Sequence, residues 1–408
     1  MKIKFIKQTP YFEIVKNVDL NNRDIILSEL NNVSLHGFND YYPNPLLKQK
    51  CDDFYILPTC EKTMSLGCGT IYESNSMEWN YYEDKFDYNE ILDPVYYFIY
   101  NTDNYYHFIY DTLPYLYCYL FHLKNKNVKL LMNFPNESKK HHYKFVEESL
   151  LLLGVDLNNV IIHNKNNKYN KMYIQNSLTH DGLSNFSPRK EIYEIYNLMK
   201  DNSIDINCPE KVYVSRRTWM HNDLTNLGTN YTTRRKLMNE DELVTKLIEK
   251  GFTEIFCENL SMAEKIKLFS SAKIIVGAIG GGMCNLLFSD KKTKTIVLNS
   301  PYFMEINERF KYSMEHTKII YFNDTYLDCQ KDTLPNYVRV KIGNKIGEII
   351  EHVENDKYKI AIGNGTNVGF NLNDNYEIQI IDKSRFEVLD KGLNSPWIIN
   401  LEELLKII

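Results

Sequence analysis

The chain has 408 residues, 43% hydrophobic and 25% charged, which is enough material for two domains with ordinary cores. Its formal net charge of −5 gives no global electrostatic case for nucleic acid or an anionic membrane as partner. No stretch reaches the roughly 18–20 apolar residues that span a bilayer, and the first 20 residues lack the apolar centre of a signal peptide. A cytoplasmic protein is therefore expected, without a transmembrane segment and with reduced thiols. Cys51, Cys60 and Cys68 form a loose cluster, but no C-x-x-C pair occurs and no zinc site is expected. The 31 tyrosines fit either a codon bias or a surface that stacks on flat groups such as sugar rings.

In chain order, "KIKFI", "DFYIL" and "PVYYFIY" read as short strands broken by Asn, Asp and Pro. A helical pattern runs over 105–123, with Pro114 in a first turn or a kink. "VKLLMNF" is a buried strand, and "HHYKFVEESLLLL" has helical spacing up to a stop at Gly154. "NVIIH" and "KMYIQNS" are further strands, so the first 205 residues read as an α/β domain with a parallel sheet. After a linker at 203–210, "KVYVS", a helix closed by Gly251, "TEIFCE" and a helix opened by Ser261 lead into "KIIVGAIGGGMCNLLFS". That last run is strand, glycine turn and helix, followed by the strand "KTIVLNS". A second α/β domain is thus expected over 206–330. From 335 to 408 the pattern changes to short strands joined by Gly, Asn and Asp turns, read as a small appended β module.

Three constellations carry chemistry. In the glycine turn, Gly280, Gly281 and Gly282 allow close backbone approach and open a helix whose free N–H groups suit phosphate. The spacing G-x-x-G-G-G and the Asn299 at the next strand end disfavour a nicotinamide fingerprint, and tight strand–helix packing is the alternative. Ser215, Arg216 and Arg217 end the strand "KVYVS", where α/β ligands sit, and arginine forks match phosphate oxygens. Arg234 and Arg235 precede an acidic helix start, so pairing with Glu240, Asp241 and Glu242 is their plain alternative. His107 and Asp111, four apart, share one helix face and form a candidate base pair; the alternative is an ordinary helix start. His180 is a further loop histidine.

Five ordered motifs then combine: H-F-x-x-D-x-L-P, Y-V-S-R-R, R-R-K-L-x-N-E-D-E-L, G-F-x-x-I-x-x-E-x-L-S, and a glycine-rich turn followed by N-x-x-F. Together, over about 95–300, they resemble glycosyltransferase family 61. The resemblance implies a GT-B-like fold of two Rossmann-like domains and an inverting transfer from a nucleotide sugar, chiefly a UDP-sugar, to a glycan or glycosylated protein. It implies no cofactor and no metal, and the chain has no D-x-D. It maps Ser215, Arg216, Arg217, Arg235, Glu258 and Gly280 to Gly282 to the donor side, to which Asn285 is added, and in the transfer Asp111 is the expected base, with His107 as its neighbour or rival. The family usually has H-G-A-G at the turn, where this chain has Ile279 in the His position. A catalytically degenerate sugar- or nucleotide-binding homologue and an assembly scaffold docking through the β tail are therefore the rival expectations.

Overall fold

A computed structural model describes residues 3–7, 25–37, 45–49, 56–59, 70–73, 89–134 (except 101 and 103) and 140–179 (except 165, 176 and 177). It further describes 188–217, 235–301, 318–327, 333–363 (except 335 and 337), 376–390 and 395–408. The chain forms two units, 1–204 with 261–263, and 205–260 with 264–408. Among the described residues, no helix is long and apolar enough to cross a membrane.

The first unit is built on a mixed sheet. Its strands are β1 (Ile3–Lys7), β2 (Ile25–Gly37), β3 (Pro45–Gln49), β6 (Asn89–Ile91), β7 (Val95–Tyr97), β8 (Lys129–Met132), β9 (Val160–Ile162) and β10 (Asn167–Gln175), while β4 (Ile56–Thr59) and β5 (Thr70–Glu73) pair separately. The order is β1-β2-β10-β7-β8-β9, with β3 on β2 and β6 on β10. Strands β10, β7, β8 and β9 are parallel, as the continuous apolar runs of β7 and β8 require of strands covered on both faces. The expectation of a parallel sheet holds for this part only. β2 runs antiparallel to β10 and β1 parallel to β2, so these two run in the opposite sense, while β3 is antiparallel to β2 and β6 parallel to β10. Helix Lys144–Leu152 buries Val146 and Leu150, four apart, and stops at Gly154. There φ is +66°, the left-handed conformation glycine adopts freely, and Val155 N–H closes back on the Leu150 carbonyl at 2.9 Å. Helix Ile192–Asp201 buries Ile192, Ile195, Tyr196 and Met199 on one stripe.

The second unit contains a fully parallel five-stranded sheet: β11 (Lys211–Val214), β12 (Thr253–Ile255), β13 (Ile274–Ala278), β14 (Lys294–Leu298) and β15 (Lys318–Phe322). Its order is β12-β11-β13-β14-β15. Counted along the chain this is second, first, third, fourth, fifth, the doubly wound pattern in which strand order reverses between the first and third strands. Helix Glu240–Glu249 links β11 to β12 and buries Leu243, Val244 and Leu247. Gly251, at φ +81°, closes that link.

The expected β tail has all five of its strands: β17 (Arg339–Ile342), β18 (Lys345–Glu354), β19 (Lys357–Gly363), β20 (Glu377–Asp382) and β21 (Glu387–Val388). They form an antiparallel sheet ordered β20-β19-β18-β17-β21 around Val340, Ile349, Tyr358, Ile360 and Ile362. The last residues return to the parallel sheet. Strand β22 (Trp397–Ile399), paired with β16 (Thr325–Leu327), and helix Leu401–Ile407 place Trp397, Ile399 and Leu404 in one core with Tyr213, Leu243, Val276 and Ile296. Of two buried ion pairs, Lys236–Glu348 at 2.8 Å ties β18 to the residues before helix Glu240–Glu249, and Arg339–Asp390 at 2.6 Å lies within the tail.

Candidate functional site

The His107–Asp111 pair sits in an irregular helical stretch. One α turn, Tyr105–His107, is capped by the Asn104 side chain and passes into a π turn, Phe108–Thr112. A 3-10 turn, Leu113–Leu116, then precedes a second π turn, Tyr119–Leu123. The expected helix is therefore present but broken in type. Pro114 is the reason: it has no N–H to donate and its ring crowds the carbonyl four residues earlier. Buried backbone groups left without helical partners need others. Tyr196 Oη donates to the Ile109 carbonyl at 2.9 Å, and Gln175 Nε2 adds a bond at 3.1 Å to the Pro114 carbonyl, which also accepts the Tyr117 N–H. Gln175 Oε1 accepts the Cys118 N–H at 2.7 Å, and Tyr96 Oη donates to the Tyr115 carbonyl. Side chains from β7, β10 and helix Ile192–Asp201 thus hold a segment that helix propensity alone would not.

Within it, His107 Nδ1 and Asp111 Oδ2 are 2.6 Å apart. The Asp111 side chain is fully buried while that of His107 is 25% exposed. With Asp111 ionised, Nδ1 carries the proton and Nε2 is the acceptor. Tyr106 packs edge-on to His107, with ring centroids 5.3 Å apart. This geometry suits a general base whose inner carboxylate orients an outer imidazole.

The second cluster lies at the carboxyl ends of β11 and β13, where the strand order reverses and doubly wound sheets bind ligands. Ser215 and Arg216 follow β11 and are both buried. Gly280 follows β13, and any side chain there would collide with Nη1 of Arg216. The guanidinium is therefore packed directly on the glycine turn. Burial pulls its pKa below the usual arginine value, while Glu240 and Glu258 oppose that shift by charge. Glu258, in the turn Cys257–Asn259, thus lies within electrostatic reach of Arg216. Gly282 has Val214 and Cys257 as its neighbours, so this glycine serves strand–helix packing. The helix after the turn, Gly281–Phe288, is a 3-10 helix that already includes Gly281 and Gly282. Asn285 is buried in it and donates to the Gly282 carbonyl at 2.8 Å, bracing the turn. Ile279, at the position the resemblance gives to histidine, is buried, and its N–H is bonded to the Leu298 carbonyl at 3.0 Å.

Arg217 is engaged elsewhere. It forms a two-pronged pair with Glu254, both N–O distances 2.6 Å, and a third bond to Asp241 at 2.5 Å. These bonds raise its pKa, the Glu254 hydrogen bond most. Arg235 has φ +53°, and its carbonyl accepts the Trp397 indole N–H at 2.9 Å. His180, Arg234 and the Cys51, Cys60 and Cys68 cluster lie outside the described residues. Among the described residues, no three His, Cys, Asp or Glu side chains are arranged to hold a metal ion.

Sequence reasoning treated Glu240 only as a surface partner for arginine. It is buried, and its Oε1 accepts from Tyr213 Oη and Arg216 N, both at 2.8 Å, and from Ser215 Oγ at 3.3 Å. The available signal was the alternation of Tyr213 and Ser215 on one strand face, with an acidic helix start downstream to meet them.

Residues 105–296 match the model of the family Glycosyltransferase 61. The matched region begins at the α turn that carries His107 and ends inside β14, so it includes both clusters. No curated relative matches the chain.

Proposed function

We propose that this chain, which over residues 105–296 belongs to glycosyltransferase 61, moves a sugar from a nucleotide donor, UDP-linked in particular, to a hydroxyl of a glycan or glycosylated protein. Family membership carries glycosyltransferase activity in general; donor, acceptor, anomeric inversion and a GT-B-like pair of Rossmann-like domains belong to the proposal. The observation that carries it is the Arg216 guanidinium packed on Gly280 at the reversal point of the doubly wound sheet. A buried cation beside a glycine backbone suits a diphosphate, whose negative charge grows as the sugar leaves.

In this reading the acceptor oxygen attacks the anomeric carbon while the bond from that carbon to the diphosphate oxygen breaks. The electron pair goes to the diphosphate, which Arg216 and the turn stabilise. The acceptor proton goes to His107 Nε2, and Asp111 stabilises the resulting imidazolium through Nδ1. Burial makes Asp111 the inner member, so His107 is preferred as the group that takes the proton. No protein-bound cofactor or metal enters the step.

A catalytically degenerate binding homologue is the second reading, and Ile279 favours it: a buried aliphatic side chain can neither bind phosphate nor transfer a proton. A thermal-shift panel of UDP, GDP, CMP and NAD, with and without manganese, tests donor binding. A UDP-selective, manganese-independent shift with measurable transfer is expected. A shift without transfer across a broad acceptor panel would favour the degenerate homologue, and no shift with any nucleotide would sink the donor reading.

A further inference from the structure

Acidic residues in a first helical turn ordinarily face solvent and gain modestly from the helix dipole. Glu240, the first residue of helix Glu240–Glu249, instead points into the protein. Burying a carboxylate is costly unless donors surround it, and an apolar side chain would fill such a place more favourably. The donors are specific. Tyr213 and Ser215 project from one face of β11 and its extension, two residues apart, and the Arg216 N–H turns to the same oxygen. One carboxylate oxygen thereby fixes the end of β11 where the chain leaves the sheet. The Tyr213 ring is held in the apolar core, which makes its hydroxyl a rigid anchor for that oxygen. What the bond to Arg216 controls is the main chain, and hence the direction in which the guanidinium leaves towards Gly280.

We propose that Glu240 is a positioning residue of the donor site, acting through the Arg216 backbone to seat the guanidinium against the glycine turn. This rests on the nucleotide-sugar reading above. Glu240 touches no substrate in this scheme; it sets the geometry of the group that does.

The test is calorimetric titration of UDP into the full chain as wild type, Glu240→Ala, Glu240→Gln and Tyr213→Phe, below the unfolding temperature of each. Glu240→Ala should weaken UDP binding by roughly tenfold or more, the scale of losing a charge-assisted hydrogen bond. Glu240→Gln keeps an acceptor oxygen and should recover most of that affinity. Tyr213→Phe should cost roughly twofold to fivefold, as expected for a neutral hydrogen bond. In transfer assays the loss should fall on the donor KM more than on kcat. Wild-type affinity in folded Glu240→Ala would overturn the positioning role, as would equal weakness of Glu240→Gln and Glu240→Ala. If Glu240→Ala does not fold, Tyr213→Phe decides, and unchanged UDP affinity there overturns the proposal. If the wild type binds no UDP, the nucleotide-sugar reading fails and the positioning role falls with it. The two failures are thereby distinguished.

Discussion

At Gly280 the backbone is held by a regular parallel sheet, whereas at His107 it is held by side chains that repair an irregular helix. The glycine turn inherits its place from strand order: β11 and β13 are neighbours, and their carboxyl ends bring Arg216 and Gly280 together. The dyad has no such scaffold. Its π turn exists because Pro114 interrupts the ladder, and Tyr96, Gln175 and Tyr196 supply the missing hydrogen bonds. One site takes its place from topology, with Glu240 fixing the end of β11 beside it. The other depends on long-range side-chain bonds and should be fragile at residues far from it in sequence.

The largest expected effect separates the two chemically. His107→Ala and Asp111→Ala should each lower transfer by roughly 10²–10⁴-fold, the range for a lost general base, while UDP affinity stays at the wild-type value. Transfer near the wild-type rate in either variant would remove that residue from the base assignment.

A second expectation sharpens the contrast in stability. Gln175→Leu leaves the buried Cys118 N–H without its present partner, while the Pro114 carbonyl keeps the Tyr117 N–H. It should lower the unfolding free energy by about 1–3 kcal/mol, the cost of one unsatisfied buried backbone group. Denaturant titration checks this, and an unchanged midpoint would show that the irregular helix needs no such support.

The smallest effect concerns pH. Among the described residues the buried ring nitrogens of His142 have no hydrogen-bond partner, and burial, with a lesser contribution from His141, pushes its pKa down from 6.5 to about 4. Below pH 6.5 the unfolded chain binds this proton and the folded chain does not, so stability falls as pH drops from 6.5 towards 4 and is flat above. His142→Phe should remove that slope, on the order of 2 kcal/mol over the window. An identical acid slope in the variant would assign it to other groups.

Regular features of both units were legible in the sequence. Apolar runs gave β8 and β13, helical spacing with a glycine stop gave Lys144–Leu152, and Gly/Asn/Asp punctuation gave the five strands of the tail. The sense of β2 was not legible, because strand direction depends on pairing between segments more than 130 residues apart, such as Leu30 with Met172. Residue types at the candidate sites were visible, but their loyalties were not. Arg216 and Arg217 are adjacent and chemically identical, yet one packs on the glycine turn and the other is taken up by Glu254 and Asp241. Period-two alternation along β11 separates them in principle, since it sends Arg217 to the side where β12 offers Glu254. Glu240 was misjudged for a related reason: an acid in a first helical turn is usually a surface residue, and only the packed structure shows it buried.

The most direct measurement is a calorimetric titration of UDP, in the presence of EDTA, into wild type and Gly280→Val. The added side chain meets the end of the Arg216 side chain, so the fold should survive while the guanidinium is displaced. The account predicts binding to the wild type without metal and a loss of roughly tenfold or more in the variant, with an unchanged unfolding temperature. Equal UDP affinity in the two proteins would contradict a donor site at this turn.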